Sequence, residues 1–190
     1  MPLGKFIPEL YPNLHPVFIE CRNGNTSAVL SYLESGLSVD IKDDNHASLI
    51  EQGADANLTD QTGFSPLMSA SAGGDIDMIE LLLRHGANSH QASQRGRTAL
   101  MEAVSSDQVA SICWWVAHGA ALEHRDLTGN TALLIAAKGG KLAAAQTLVM
   151  QGADIHAKDK HGKTAEDWAR ANGHPKIVEL LQSRMGYESD

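Results

Sequence analysis

The chain has 190 residues, enough for one domain of ordinary size or for roughly five or six short repeats. Its formal net charge of −8 argues against general binding to nucleic acids or anionic membranes, because both attract cationic surfaces. No apolar run approaches the length of a membrane span, and residues 1–8 lack the apolar core of a signal peptide. Cys21 and Cys113 lie far apart in the sequence and form no disulfide framework, so we expect a reducing, cytoplasmic location.

The N-terminal region predicts an arm followed by an irregular first unit. Prolines recur at positions 8, 12 and 16, and we place the arm at residues 1–14. Residues 15–42 carry apolar residues that fit two short helices, near residues 16–22 and 26–34. The end unit of a repeat array is typically irregular because its outer face meets solvent, and we interpret residues 15–42 as such a cap.

The spacing of the units breaks once, between Gly36 and Gly53. These glycines are 17 residues apart, whereas later equivalent glycines are 33 apart, so 16 residues have no counterpart. Residues 43–59 therefore predict a truncated unit with an abnormal junction at His46–Ala47. Both flanks look intact, which favours an omission or deletion over gradual drift. Two explanations stay open: the molecule has a truncated unit bridged by a loop, or it contains residues that this sequence omits.

From residue 60 onward the chain repeats with a period of 33 residues. Two independent series of glycines keep this step, and every member of the second series is followed by alanine. A fixed period in this range indicates a solenoid, in which each unit buries its apolar face only against its neighbours. We place complete units at 60–92, 93–125 and 126–158, a more polar capping unit at 159–183, and a tail at 184–190. The two series are Gly63, Gly96, Gly129 and Gly162, and Gly53, Gly86, Gly119 and Gly152.

Each complete unit predicts a turn followed by two helices. The turn contains a glycine of the first series, which supplies the positive φ that a tight turn needs. A hydroxyl residue two positions later is placed to cap a short inner helix, and Pro66 fits the first helical position of one such helix. Apolar residues at helical spacing then predict an outer helix, which ends at a glycine of the second series. The capping residues are Ser65, Thr98, Thr131 and Thr164. The predicted helices span 66–72, 76–84, 99–105, 109–117, 132–138, 142–150, 165–171 and 175–183.

Over roughly residues 15–183 these units resemble the ankyrin repeat. Ser65-Pro66-Leu67 is similar to the threonine-proline-leucine signature of that family, although alanine takes the proline position in later units. The family's glycine-alanine-aspartate or glycine-alanine-asparagine element occurs at residues 53–55, 86–88 and 152–154. The resemblance implies an all-α ankyrin-repeat solenoid of stacked helix-turn-helix units with projecting turns. It also implies a non-enzymatic module, an adaptor or scaffold, that binds a partner protein on its concave face.

Two other functions stay open. A regulatory or inhibitory subunit would use the same face to block an enzyme or toxin by direct binding. An enzyme in its own right is disfavoured, because the sequence has no glycine-rich phosphate loop, Gly-x-Ser-x-Gly elbow or His-Glu-x-x-His helix. The nine histidines lack metal-ligand spacing, so we expect no metal, no cofactor and no small-molecule substrate. We expect a monomer that binds neither nucleic acid nor membrane.

The concave face that the resemblance implies comprises the projecting turns and the solvent side of the inner helices. From the unit at 93–125 onward this face is basic, which favours a partner with an acidic surface. The alternative is that the long cations only keep exposed loops soluble. Phe64 is the one aromatic residue in a projecting turn, where it either anchors a partner or covers the neighbouring turn. The predicted contact residues are Phe64, Arg95, Arg97, Arg125, Asn130, Lys138, Lys158, Lys160, His161 and Lys163.

Adjacent tryptophans lie on the predicted outer helix at 109–117. Trp115 continues the apolar stripe of this helix and is predicted to lie in the core. Trp114 lies off the stripe, so we expect it either to pack between units or to be partly exposed. Cys113 is predicted to lie on the surface of the same helix.

Overall fold

The computed structural model describes residues 55–187 and the single helical residue Ser27, with the side chains of the C-terminal segment described up to Arg184. Within residues 55–187 the chain forms eight α-helices and no strand. The helices are α1 (Pro66–Gly73), α2 (Ile76–Arg84), α3 (Ala99–Ser105), α4 (Val109–Ala117), α5 (Ala132–Gly139), α6 (Leu142–Met150), α7 (Ala165–Ala171) and α8 (Pro175–Tyr187). The predictions for the N-terminal arm, for the first helical pair other than Ser27, and for the junction at His46–Ala47 lie outside the described residues.

The eight helices predicted between residues 60 and 183 are confirmed. Five of them begin and end at the predicted residues, and α1 and α5 are each one residue longer. The last helix, α8, runs to Tyr187, four residues past its predicted end and into the segment predicted as a tail. Residues 182–185 contain no proline or glycine, and the single glycine at 186 weakens a helix by only about 1 kcal/mol, which explains the extension.

Side-chain caps fix where the inner helices begin. In each of them a hydroxyl oxygen accepts a hydrogen bond from a backbone N–H of the first turn, as predicted, at Ser65, Thr98, Thr131 and Thr164. At Thr164 the cap is reciprocal, because the Asp167 carboxylate accepts a hydrogen bond from the Thr164 backbone N–H at 2.9 Å. Each cap satisfies a donor that has no partner within the helix. Helices of seven or eight residues therefore have a defined start.

The outer helix α6 receives its cap from the preceding unit. Asp107 adopts the left-handed conformation, at φ 59°, and its Oδ1 accepts a hydrogen bond from the Ala144 backbone N–H at 2.8 Å. Ala144 lies in the first turn of α6, whose own N-cap residue, Lys141, makes no side-chain cap. The Asp107 carboxylate therefore satisfies a helix donor and ties two units together. The sequence did not predict this contact, because its partners are 37 positions apart.

The helices stack in two layers. The inner helices α1, α3, α5 and α7 contact one another in that order, and so do the outer helices α2, α4, α6 and α8. Alanines at the same place in each unit are fully buried between the inner helices, which lets these helices pack closely. These alanines are Ala70, Ala103, Ala136 and Ala169. Stacking of helix pairs at the 33-residue period confirms the predicted solenoid.

The turns that precede the inner helices lie side by side, and we call them fingers. The fingers span residues 60–64, 93–97, 126–130 and 159–163. Each later finger donates one backbone hydrogen bond to the finger before it: Gln94 N–H to Thr62 O (2.9 Å), Leu127 N–H to Arg95 O (2.9 Å) and Lys160 N–H to Thr128 O (3.2 Å). Glycine permits this approach, since Gly129 has a φ of 80° and a Cβ on it would lie 2.9 Å from the Lys160 nitrogen. The fingers therefore form a continuous ladder along one edge of the stack.

Candidate functional site

Three of the four fingers are held in shape by the aspartate with which they begin. Oδ1 of Asp126 accepts hydrogen bonds from the backbone N–H groups of Thr128 (2.8 Å) and Asn130 (2.9 Å). Asp60 and Asp159 make equivalent bonds within their own fingers. Burial alone would raise the pKa of Asp126, but hydrogen bonds from Asn130 and Thr128 outweigh it and hold this pKa below its ordinary value. The carboxylate of Asp126 thus stays ionised and holds its own turn in shape.

A polar network joins the last finger to the unit before it. The side chain of Asp159 has no exposed surface, and it accepts hydrogen bonds from Lys138 Nζ at 3.0 Å and from Trp168 Nε1 at 2.8 Å. Lys138 also donates to Asn130 Oδ1, and the ammonium groups of Lys138 and Lys163 lie 4.2 Å and 4.3 Å from the centre of the Trp168 ring. Burial alone would raise the pKa of Asp159, but these hydrogen bonds hold it well below its ordinary value. Lys138 and the buried Asn130 are therefore engaged in joining units.

Arg125 links two consecutive units through backbone carbonyl groups. Its Nη1 donates to the carbonyl of Gly129 at 3.0 Å and to the carbonyl of Lys158 at 2.5 Å. A guanidinium group suits this position because its fixed fork of donors can serve two acceptors at once. The predicted contact residue Arg125 therefore has a structural role in the array.

Arg97 is held against the inner helix α3. Its Nη2 donates to the Met101 carbonyl at 3.2 Å and to the Ser105 hydroxyl. Its Nε lies 3.3 Å from Glu102 Oε1, an ion pair whose alignment does not make a hydrogen bond. Burial raises the pKa of Glu102 despite the opposing attraction of Arg97 and Arg95. The charge of Arg97 is thus largely engaged within its own unit.

The remaining predicted cations are exposed. Arg95, Lys158 and Lys160 make no side-chain hydrogen bond or ion pair with the other described residues, and we call these three residues the free cations. Arg95 and Lys158 are near enough to attract the carboxylates of Glu102 and Asp167, respectively, without pairing with them. Lys163 is also exposed, although its ammonium group lies over Trp168, and His161 is exposed in the last finger. The structure therefore divides the predicted basic strip into cations that hold the array together and cations that face solvent.

Phe64 is half-buried and packs against the hydrophobic core. This position fits the second of its two interpretations, in which the ring covers the neighbouring turn. Asn130 is also buried, and its amide donates to the Asp126 carboxylate at 3.0 Å and to the Thr128 hydroxyl. The side chains of Phe64 and Asn130 therefore both make contacts within the array.

An open groove of about 310 Å³ lies between the inner helices α3 and α5 and the fingers beside them. The half-buried Ile135 gives the groove an apolar wall, and Lys141 adds a cation that was not among the predicted contact residues. The 33-residue repeat could have indicated Ile135, because Ile135 occupies the same position in its unit as Glu102 and Trp168 occupy in theirs. The lining residues are Arg97, Ser105, Asp126, Asn130, Ile135, Lys138, Gly139 and Lys141.

On the outer helices the tryptophans take the predicted positions. Trp115 is buried, and its Nε1 donates to the Ser71 hydroxyl at 2.9 Å. Trp114 is half-buried and packs between units, since its Nε1 donates to Glu80 of α2 at 3.3 Å while its ring stacks on His118 at 3.8 Å. Cys113 on the same helix is exposed, as predicted.

Within the described residues, no group of three His, Cys, Asp or Glu side chains is arranged to hold a metal ion. None of the helices α1–α8 is long and apolar enough to cross a membrane.

Paired helices in two layers, with a ladder of fingers along one edge, define a helical repeat solenoid. The family model for ankyrin repeats (three copies) matches residues 17–126 and 106–189. These matches cover most of the chain, so the protein belongs to the ankyrin-repeat family. Ankyrin repeats are generally protein–protein interaction modules and are typically not enzymes. A comparison with curated proteins found no match.

Proposed function

We propose that the protein is a non-enzymatic adaptor or scaffold that holds a partner protein on the concave face formed by its fingers and inner helices. One observation carries this proposal: the finger side of the array combines exposed cations, which make no ion pair with the described residues, with an open groove that has an apolar wall. Exposed cations that make no ion pair with the described residues are available to a second molecule. The groove offers a place for one or two side chains of that molecule.

The rigidity of the fingers supports the same function. Aspartates accept hydrogen bonds from the backbone of their own turns, and backbone hydrogen bonds join each finger to the next. Arg125 links two consecutive units. A surface that is already ordered loses little conformational entropy when a partner binds. Little of the free energy gained from contacts on this face is therefore offset by ordering the surface, and most of it contributes to affinity.

The surface of the partner is proposed to be acidic where it meets the free cations. The chain as a whole has a net charge of −8, which repels an acidic protein at long range. At physiological salt this repulsion is screened beyond about 8 Å, so charges in direct contact decide the match. Association should then slow and weaken as salt is added, because charges at the rim of an interface mainly govern encounter. A monomeric state and a cytoplasmic location remain parts of this proposal.

The test begins with affinity purification on the full-length chain, followed by measurement of the purified partner's affinity for two variants. The first variant replaces Arg95, Lys141 and Lys158 with glutamate on the finger and groove side. The matched control replaces Arg84, Lys176 and Arg184 with glutamate on the outer helices, so both variants change the net charge equally. All six residues are exposed or half-exposed, which keeps the effect on folding small.

We expect the first variant to bind the partner at least tenfold more weakly and the control to stay within twofold of the affinity of the original chain. Equal losses in both variants would mean that net charge alone attracts the partner. A loss confined to the control would place the partner on the outer helices and overturn the proposal. If the partner is an enzyme, an activity measurement at equal molar amounts distinguishes an adaptor, which leaves the activity intact, from an inhibitory subunit.

A further inference from the structure

Leu127 occupies a position that is polar in the other three fingers. The second residue of each finger is Gln61, Gln94, Leu127 or Lys160. The Leu127 residue is 62% exposed, and the other exposed large apolar residues of the described chain, Val109 and Met150, lie on outer helices. A single exposed leucine is ordinary on a protein surface, so its surroundings decide what it signifies.

Free cations border Leu127 on the neighbouring fingers. The Leu127 backbone N–H donates to the carbonyl of Arg95, and the Lys160 backbone N–H donates to the carbonyl of Thr128, the residue after Leu127. The ladder thus sets Arg95 on one side of Leu127 and Lys160 on the other. The nearest carboxylate along the chain, that of Asp126, is engaged by Thr128 and Asn130 within its own turn. The result is an exposed apolar side chain between two positive charges that make no ion pair with the described residues.

We propose that the tips of these three fingers, at Arg95, Leu127 and Lys160, bind an extended acidic segment of a partner protein, with an aliphatic or aromatic side chain seated on Leu127 and carboxylates on both sides of it. This inference rests on the proposed function and names the chemistry of the partner's contact segment. The two cations attract the segment and fix its register, while burial of the leucine supplies affinity that charge alone does not. An extended backbone suits the site because the three contact points follow one another along the ladder.

Single-stranded nucleic acid suits the site less well than an acidic peptide. Binding of single strands relies on aromatic side chains on which successive bases stack. The second finger residues are two glutamines, a leucine and a lysine, and the half-buried Phe64 packs against the core. An apolar aliphatic contact between cations is therefore better matched to a peptide side chain flanked by carboxylates.

The probe is a displayed library of random twelve-residue peptides, selected on the full-length chain and in parallel on two variants. Leu127→Gln introduces the residue that two other fingers have at this position, so it removes the apolar contact with little disturbance of the turn. Met150→Gln is the matched control, because Met150 is 74% exposed on the outer helix α6. The original chain and the Met150→Gln variant should both enrich peptides in which acidic residues flank an aliphatic or aromatic residue. The Leu127→Gln variant should not.

An enriched peptide is then labelled, and its affinity is measured by fluorescence anisotropy at two salt concentrations. Loss of the leucine contact should weaken binding about tenfold, the effect expected of one buried aliphatic side chain. Arg95→Gln and Lys160→Gln should each weaken binding about threefold and reduce its dependence on salt. Thermal unfolding midpoints within about 2 °C of the original chain would confirm that all three variants fold.

Enrichment without acidic residues, equal affinity of Leu127→Gln and the original chain, or no enriched peptide at all would each overturn the inference. Tight binding of an oligothymidine probe that Lys160→Gln abolishes, together with no acidic peptides, would assign the tips of these fingers to nucleic acid instead. The proposed function fails separately, when a purified partner is insensitive to charge reversal on the finger and groove side. A partner that depends on Lys141 but not on Leu127 would preserve the proposed function and refute this inference alone.

Discussion

The base of a finger comprises its first and fifth residues and the inner-helix side chains that they contact, and the tip comprises its second to fourth residues. Bases and tips contain the same kinds of residue in different roles. At the bases, Lys138 binds the buried carboxylate of Asp159, and Arg97 lies against α3 with its Nη2 donating two hydrogen bonds. At the tips, Arg95 and Lys160 are exposed and make no side-chain hydrogen bond or ion pair with the described residues. Arg95 and Arg97 are only two positions apart, yet they belong to different regions. Position within the repeat therefore determines whether a cation stabilises the array or is available to a partner.

The largest expected effect of a substitution is at the base, at Asp159. Asp159→Ala leaves the ammonium group of Lys138 and the indole N–H of Trp168 without their acceptor, and breaking a buried pair costs about 3 kcal/mol. We expect the thermal unfolding midpoint to fall by about 10 °C. Repeat arrays can unfold in parts, so hydrogen exchange should also show that the loss centres on residues 126–171. The control is Asp77→Ala at an exposed position in α2, and equal losses in both variants would contradict a special role of the base.

The buried carboxylate also predicts sensitivity to acid. The folded-state pKa of Asp159 lies well below its ordinary value, so its contribution to stability is complete above the ordinary pKa of about 4 and is lost as the pH falls toward the folded-state pKa. The lowered pKa of Asp126 acts in the same direction, whereas the raised pKa of Glu102 acts against it. Urea unfolding should therefore show that the stability gap between the original chain and Asp159→Asn narrows from pH 7 to pH 3. A gap of constant size would show that ionisation of Asp159 does not contribute.

Two glycines test the contact between tips. Gly129 and Gly162 both have a positive φ, at 80° and 74°, but only a Cβ on Gly129 would meet the next finger. Gly162→Ala should cost about 1 kcal/mol for the left-handed backbone alone. Gly129→Ala should cost about 2–3 kcal/mol, because the neighbouring finger must also move. Equal losses in denaturant unfolding would mean that the ladder between fingers adds no stability.

A smaller effect is expected at Asp107, which caps the outer helix of the next unit. Asp107→Gly tolerates the left-handed backbone but removes the carboxylate, so we expect a loss of about 1–2 kcal/mol in the free energy of unfolding. Asp107→Asn keeps an oxygen acceptor and the same backbone preference, and should stay within about 0.5 kcal/mol of the original chain. Equal losses in the free energy of unfolding of Asp107→Gly and Asp107→Asn would argue against a capping role of the Asp107 side chain.

The smallest effect is expected at the tip, where Arg95 and Arg97 form a matched pair. Arg95→Ala should change the free energy of unfolding by less than about 0.5 kcal/mol, as substitutions of unpaired surface residues usually do. Arg97→Ala should cost about 1 kcal/mol, since Ser105 and the Met101 carbonyl lose a donor. Urea unfolding of both variants measures the difference. A larger loss of stability in Arg95→Ala than in Arg97→Ala would contradict the distinction between base and tip.

Local features of the fold could be predicted from the sequence. Helix ends depend on caps and glycines within a few residues. Most helix boundaries were therefore predicted correctly from capping residues such as Ser65 and Thr98 and from the 33-residue step. The assignment of cations to base or tip could not be predicted in the same way. The repeat gives the position of Lys138, but its partner Asp159 lies 21 residues away in the next unit. Only the packed structure shows which charges are already paired.

The hydrogen bonds between fingers recur at a single offset, and this regularity bears on how the protein can evolve. The pairs Thr62 with Gln94, Arg95 with Leu127, and Thr128 with Lys160 are each 32 positions apart. A duplicated segment of 33 residues would therefore find an acceptor in the finger before it and offer one to the finger after it. Gene duplication can lengthen the array by whole units while the existing contacts are kept. Insertion of a few residues inside a unit would instead break the ladder at that point.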